Sequence, residues 1–345
     1  MRAALALASW KGLARADLRM LLARMSSEEA LKLVSREIPS GAPTGSELDR
    51  MESLSEEFGI RSVIFGGPGY PALLNVIPDP PAVLFWRGDL ARFLASPSVA
   101  VIGSRRCTQY GRKVARTLSQ DFARAGVGVV SGLARGIDGE AHLGCLDAGG
   151  RTLAVLGSGP DILYPPEHAK LAARIVANGV LLSEYPPGTE PARFRFPERN
   201  RLISGLALGL VVVEAGSRSG TMITVATALE QGREVFAVPG EVTRALSMGT
   251  NMLLRDGAGV VITSQDVLGP LGLAAPADEA IPDRVLPSEG TAGAIVKALS
   301  AGGSMHLDGI LAATGLACGP LREELLQLEL NGIVEKRPGG FYALR

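Results

Sequence analysis

FRFPERNRLISGLALGLVVVEAGSRSGTMIT, residues Phe194 to Thr224, decides how the chain is read. It runs from a basic loop through a short helical segment into an apolar strand, Leu210 to Val213, and leaves through a Gly/Ser turn that opens a second helix. Five arginines sit in or beside it: Arg193, Arg195, Arg199 and Arg201 ahead of the first helix, and Arg218 in the turn after the strand. In open α/β sheets ligands bind beyond the carboxyl ends of the strands, where a helix N-terminus presents free amides to an anion. The stretch therefore reads as a phosphate-binding corner of a parallel sheet.

Outward from it the pattern is regular. VAVIG, VGVVS, TLAVL, VLLSE, LVVVE, EVFAV and GVVIT alternate with amphipathic segments, one of which carries Val114, Leu118 and Phe122 on one helix face. Short apolar strands separated by helices indicate an α/β fold with a doubly wound, mostly parallel, Rossmann-like sheet covered on both faces. This domain is expected over residues 86–273. Residues 1–85 read as a small helical domain plus connector, with Ser26 and Ser27 ahead of Glu28 and Glu29 as a helix cap. The connector, GGPGYPALLNVIPDPP from Gly66 to Pro81, is too rich in Gly and Pro for regular structure. Its Gly67, Gly69 and Ala72 fit a dinucleotide fingerprint by spacing, but Pro71 and the missing downstream acid argue against that site. A linker is expected over 274–290. Beyond it, residues 291–345 read as three helices and a hairpin, VEKR and FYAL around Gly339 and Gly340, a winged-helix-like arrangement.

Composition narrows the classes. The chain has 345 residues, 46% of them hydrophobic, enough for two or three domains with cores. Its longest apolar run, Ile203 to Val213, falls short of the roughly 20 residues that a membrane span requires, so no membrane partner is expected. The ALALA run near Met1 is too short for a signal peptide and ends at Trp10 and Lys11, which points to a cytoplasmic protein. Cys107, Cys145 and Cys318 are too widely spaced for a metal site and are expected as free core thiols. Formal net charge is zero, yet residues 97–263 hold 18 Lys/Arg against 14 Asp/Glu, whereas residues 264–345 hold 6 against 10. The basic excess belongs to the central domain.

Four polar loops follow strand ends: Gly103, Ser104, Arg105 and Arg106; SGLARGID from Ser131 to Asp138; GSGPDILYPP from Gly157 to Pro166; and GSRSGT from Gly216 to Thr221. Glycine lets a backbone approach an anion, and Ser, Thr and Arg supply donors, so four such loops on one sheet edge describe a phosphate-binding groove. Arg199, Asn200 and Arg201 can aim two guanidinium groups at phosphates, and Phe194, Phe196 and Tyr185 are candidate stacking platforms for unpaired bases. Ser131, Asp138 and His142 suggest a triad only superficially, because His142 falls inside a helix with no G-x-S-x-G elbow. Without G-x-x-x-x-G-K-[ST], P-loop chemistry is excluded, and no cofactor is expected. Glu214, at a strand end, is expected to hold an arginine in place. On the last predicted helix Arg322 is outweighed by Glu323, Glu324 and Glu329, which disfavours strong duplex reading.

These motifs, with YG at 110–111, AH at 141–142, SEYPPG at 183–188, FPERNR at 196–201, GREVFAVPG at 232–240 and GTN at 249–251, resemble the DprA/Smf family of DNA-processing proteins. The likeness is dense from Ser98 to Thr263. The flanking regions are similar to the family's small helical (SAM-like) and winged-helix accessory domains. It implies an extended Rossmann fold with no enzymatic activity that binds and protects single-stranded DNA, forms a homodimer and loads RecA recombinase during natural transformation. By motif, Gly103, Ser104, Arg105 and the FPERNR segment, with Phe196, Arg199, Asn200 and Arg201, would contact the strand. Arg106, Arg135, Lys170, Arg218, Ser219, Gly220 and Thr221 complete the expected site. His168 and Met222 depart from residues common in the family. The alternative is a nucleoside-monophosphate phosphoribohydrolase, but Thr224 stands where its catalytic Glu would be. A pure protein scaffold would leave the arginine cluster without a purpose.

Overall fold

The computed structural model describes residues 1–217, 219–273, 287, 290–330, 333–337 and 339–344. Arg218 and nearly all of the expected linker lie outside them. Two compact units result, Met1–Pro276 and Ala277–Arg345.

The first unit is built on β1 (Arg61–Ile64), β2 (Val83–Gly88), β3 (Ser98–Ile102), β4 (Gly128–Ser131), β5 (Thr152–Val155), β6 (Val180–Ser183), β7 (Gly209–Val212), β8 (Glu234–Ala237) and β9 (Gly259–Val260). They form one sheet in the order β1-β2-β6-β5-β4-β3-β7-β8-β9. All seven strands read from the sequence are present, and β3 to β9 pair in parallel. The sequence reading did not include β1 and β2, which extend the sheet antiparallel beyond β6.

Alternation of side chains along buried strands produces two cores. On β3, Ala100 and Ile102 join Leu210, Val212, Leu202 and Ile203 on one face, whereas Val99 and Val101 join Phe122, Ile137, Val211 and Val213 on the other. The chain builds outward from β3 through β4, β5 and β6, then crosses back to place β7 on the opposite side of β3. The ends of β3 and β7 thus flank the point where strand order reverses, the usual ligand crevice of such sheets. Helix Arg195–Gly205 lies on this crossover. The sequence placed Arg195, Arg199 and Arg201 ahead of a helix, but they lie on it. Pro197 is compatible with that because the first helical turn has no intrahelical use for its N–H.

The N-terminal helices pack their apolar faces onto β2 through Leu5, Leu18, Leu22, Val34 and Phe85. Ser26 caps helix Ser27–Glu37 in a reciprocal box with Glu29, and Thr44 does the same with Glu47 for helix Gly45–Phe58. The second unit has helices Gly290–Gly302, Leu307–Thr314 and Cys318–Leu330, with β10 (Met305–His306) between the first two and β11 (Val334–Arg337) and β12 (Phe341–Leu344) after the third, in one sheet of order β10-β12-β11. Its separate core holds Ile295, Leu299, Ile310, Leu321, Leu325 and Val334. Of the three cysteines, which are all free, only Cys145 is a core thiol; Cys107 is half-buried and Cys318 exposed.

Candidate nucleic-acid interface

At the β3/β7 switch point the strand-end loops converge on a groove of about 510 Å³. Gly103, Ser104, Arg105 and Arg106 form one wall, and Ser219, Gly220 and Thr221, which open helix Gly220–Glu230, form the other. Phe196, Arg199 and Asn200 close it from the crossover helix. Ten of the expected contact residues therefore meet at one place. Arg135 lies at the adjoining rim with Tyr164 and Pro165, its guanidinium paired with Glu167. Lys170 is exposed on helix Ala169–Asn178 and lines neither hollow.

The loops stay close because small residues let them interlock. A side chain at Gly132 would overlap the Arg199 guanidinium, with a Cβ to Nη2 distance of 2.3 Å. Gly136, at φ +78°, would bring a Cβ to 2.3 Å from the Ser104 carbonyl oxygen. These glycines serve contact between loops, so the sequence reading of glycine as room for an anion holds only in part. Glu214 also differs from expectation. Its carboxylate accepts from Thr108 N (2.8 Å) and Thr108 Oγ1 (2.5 Å), anchoring the cap of helix Gln109–Arg124 instead of an arginine. β7 lies directly beside β3, so the carboxylate at its end reaches that loop first.

The two arginines of the Arg-Asn-Arg run have different fates. Residues i and i+2 of a helix point to different sides. Arg199 is 4% exposed and faces the groove floor, donating to the carbonyls of Gly132 (2.7 Å) and Val155 and, through Nε, to Asn200 Oδ1 (3.2 Å). Burial pulls its guanidinium down to about 10, which leaves it cationic at neutral pH. Asp138 lies opposite it, raised by burial and held by the amides of Gly132 and Ala134. Arg201 turns away from the groove and pairs with Glu184 (2.7 Å) and Asp79 (3.0 Å). Burial acts against its charge, but those two carboxylates outweigh it and hold Arg201 above its ordinary value. The expectation that Arg199 and Arg201 face one strand together is thus corrected by the helix on which both lie.

Arg105 and Arg106 are exposed and form no ion pair among the described residues. The Arg105 guanidinium lies 5.5 Å from the Phe196 ring centroid, and Phe196 lies 5.4 Å from the ring of Tyr164, itself 40% exposed. This guanidinium-ring-ring series suits base stacking. Sequence reasoning missed Tyr164, although it stands in the quoted GSGPDILYPP loop. Of the other candidate platforms, Phe194 is 61% exposed, whereas Tyr185 is buried with its hydroxyl on Glu198 (2.7 Å). The superficial triad is structural: Ser131 Oγ donates to the Val101 carbonyl, and buried His142, pushed down to about 3 by desolvation, contacts Thr152 Oγ1 at 2.7 Å.

A cationic wall with no ion pair among the described residues, an aromatic stack and an open helix N-terminus at the switch point of a Rossmann-like sheet make a site whose chemistry suits a polyanion. The comparisons with known proteins narrow this. Residues 61–272 match the family described as DNA recombination-mediator protein A, and residues 274–340 match the DprA winged helix domain. The chain belongs to the DprA/Smf family, whose members are recombination mediators and not enzymes. It is 36% identical over 312 residues to Protein Smf of Synechocystis sp., spanning 81% of this chain and 78% of the relative. With DNA processing protein DprA of Streptococcus pneumoniae it shares 46% over 199 residues, 58% of this chain and 70% of the relative. The X-ray structure of Streptococcus pneumoniae DprA aligns with a TM-score of 0.64 at 37% identity, over 76% of this chain and 95% of that one. Helicobacter pylori DNA processing protein A, described with a single-stranded DNA binding mode, aligns with a TM-score of 0.56 at 30% identity, over 62% and 96%. No helix among the described residues is long and apolar enough to cross a membrane.

Proposed function

We propose that this protein binds single-stranded DNA in the β3/β7 groove, protects it, and loads RecA recombinase on it during natural transformation. The observation that carries the binding step is Arg105 stacked on Phe196 beside an open helix N-terminus, a cation, a π-face and free amides within one groove. Phosphates are met by Arg105, Arg106 and the amides of Gly103, Gly220 and Thr221, with the Ser104 hydroxyl, Ser219 and Asn200 as further donors, the Ser104 amide being engaged by the Glu214 carbonyl (2.7 Å). Bases lie against Phe196. Arg199 supplies positive potential from the floor, and Arg135 extends it at the rim. Such a surface is sequence-tolerant, because every base has a stacking face and every nucleotide a phosphate. The single-stranded DNA binding described for the Helicobacter pylori relative supports this reading.

Loading of RecA is supported by the recombination-mediator family, and free thiols suit a cytoplasmic setting. Pairing into a homodimer is supported by the sheet edge at β9, where Val260 is 51% and the adjacent Ile262 72% exposed. Fluorescence anisotropy with a labelled oligo-dT tests binding: saturation that weakens with salt is expected, and no binding would overturn the reading. The mediator step is tested by RecA's DNA-dependent ATP hydrolysis on the same strand. The lag should shorten when this protein is present, and an unchanged lag contradicts loading.

A further inference from the structure

A second hollow, of about 390 Å³, lies between the N-terminal helices and the loop that follows β6. It is lined by Lys11 and Arg50 from the helical region and by Tyr185, Gly188 and Arg195 from the sheet domain. Lys11 and Arg50 are exposed, and neither side chain makes a hydrogen bond or ion pair among the described residues. Arg195 donates to the Glu190 carbonyl and lies 5.0 Å from the Tyr185 ring centroid and 5.4 Å from that of Phe194. Glu47 is the acidic lining residue, but its carboxylate already accepts from Thr44 N (2.7 Å) and Oγ1 (2.9 Å) as part of the helix cap. Three cations therefore face a hollow with one carboxylate, which is hydrogen-bonded to its own helix cap and attracts Lys11 alone of the three.

The position of this hollow matters as much as its charge. Phe196 lines the β3/β7 groove, whereas Arg195, its neighbour in the first turn of the same helix, lines the second hollow. The start of this helix thus borders both hollows, and Phe194, its N-cap residue, is 61% exposed. We infer that the hollow is a second phosphodiester subsite: a strand held in the groove continues over Phe194 and places its phosphates against Arg195, Lys11 and Arg50. The N-terminal helices, which lie outside the matched residues 61–272, thereby become part of the DNA path. The inference rests on the proposed function of the groove and adds a binding element to it. A chain of phosphates fits three separated cations on a rim better than one compact anion does, and exposed cations act through counterion release without a folding cost.

The test uses the full chain, a Lys11→Ala/Arg50→Ala double variant, and an Arg24→Ala/Lys32→Ala control. The control removes the same charge from exposed positions outside the hollow. Affinity is measured for oligo-dT of about 6 and about 20 nucleotides over a salt series, lengths that bracket one and several stacking platforms. The double variant should bind the short strand as the wild type does. It should bind the long one roughly tenfold more weakly, with a salt slope smaller by about 1.4, two phosphate contacts at about 0.7 each. Unchanged affinity for the long strand, an equal loss on both lengths, or a loss matched by the control would overturn the inference and leave the groove reading intact. A wild type that bound neither length would instead sink the groove reading, and this one with it.

Discussion

Two regions of this protein have shapes that suit DNA, and only one has the chemistry. The groove at the β3/β7 switch point presents Arg105 and Arg106, which form no ion pair among the described residues, a ring stack and a helix N-terminus. The last helix of the winged unit, Cys318–Leu330, turns Leu321, Leu325 and Leu328 inward and exposes Arg322, Glu323, Leu326 and Glu329. Two carboxylates for one guanidinium repel a phosphate backbone. A fold brings surfaces into position, but the charge left unpaired on those surfaces decides whether a polyanion stays.

The largest effect should come from beneath the groove. Arg199→Leu removes a buried guanidinium and leaves Asp138 without the charge opposite it, so stability should fall by about 3–5 kcal/mol, read as a lower midpoint in thermal or urea denaturation. An unchanged midpoint would mean that the groove does not depend on its buried cation. Arg201→Ala should cost about 3 kcal/mol by uncoupling Glu184 and Asp79, while folded protein keeps most of its DNA affinity. A large loss of affinity in this folded variant would return Arg201 to the DNA path. Next comes Arg105→Ala, which should weaken single-strand binding about tenfold, the value of one charged hydrogen bond of about 1.5 kcal/mol, and leave the unfolding midpoint in place. The smallest effect belongs to the other region: deleting residues 277–345 should change single-strand affinity by less than about threefold, because an acidic unit contributes little to phosphate binding. Near-complete loss in a truncated chain that still folds would reverse the comparison.

Much of this arrangement was legible in the sequence because it rests on local rules. Seven short apolar runs separated by helical patterns become β3 to β9; Ser26 with Glu29 becomes a capping box; VEKR and FYAL become the paired strands of the wing. The strand-end loops converge as expected, since parallel strands bring their carboxyl ends to one edge. What escaped depends on contacts between distant segments. RSVI and VLFWRG are short and flank a Pro/Gly-rich connector, so only their pairing with each other, and that of VLFWRG with β6, reveals them as strands. Arg199 and Arg201 read as equivalent cations until the helix separates them, one beneath Gly132 and the other beside Glu184. Glu214 finds Thr108, a partner 106 residues away, through the adjacency of β3 and β7. Tyr164 joins the stack only because its loop folds against Phe196.

The central claim is that the groove holds a single strand by phosphate neutralisation and base stacking. Its most direct test is the affinity of the wild type and Arg105→Ala for an oligo-dT and for a duplex of equal length, measured across one salt series. Tighter binding of the single strand is predicted, with the logarithm of affinity falling linearly with that of salt and the slope smaller by about 0.7 in Arg105→Ala. Equal or tighter binding of the duplex, or a slope that the substitution leaves unchanged, would contradict it.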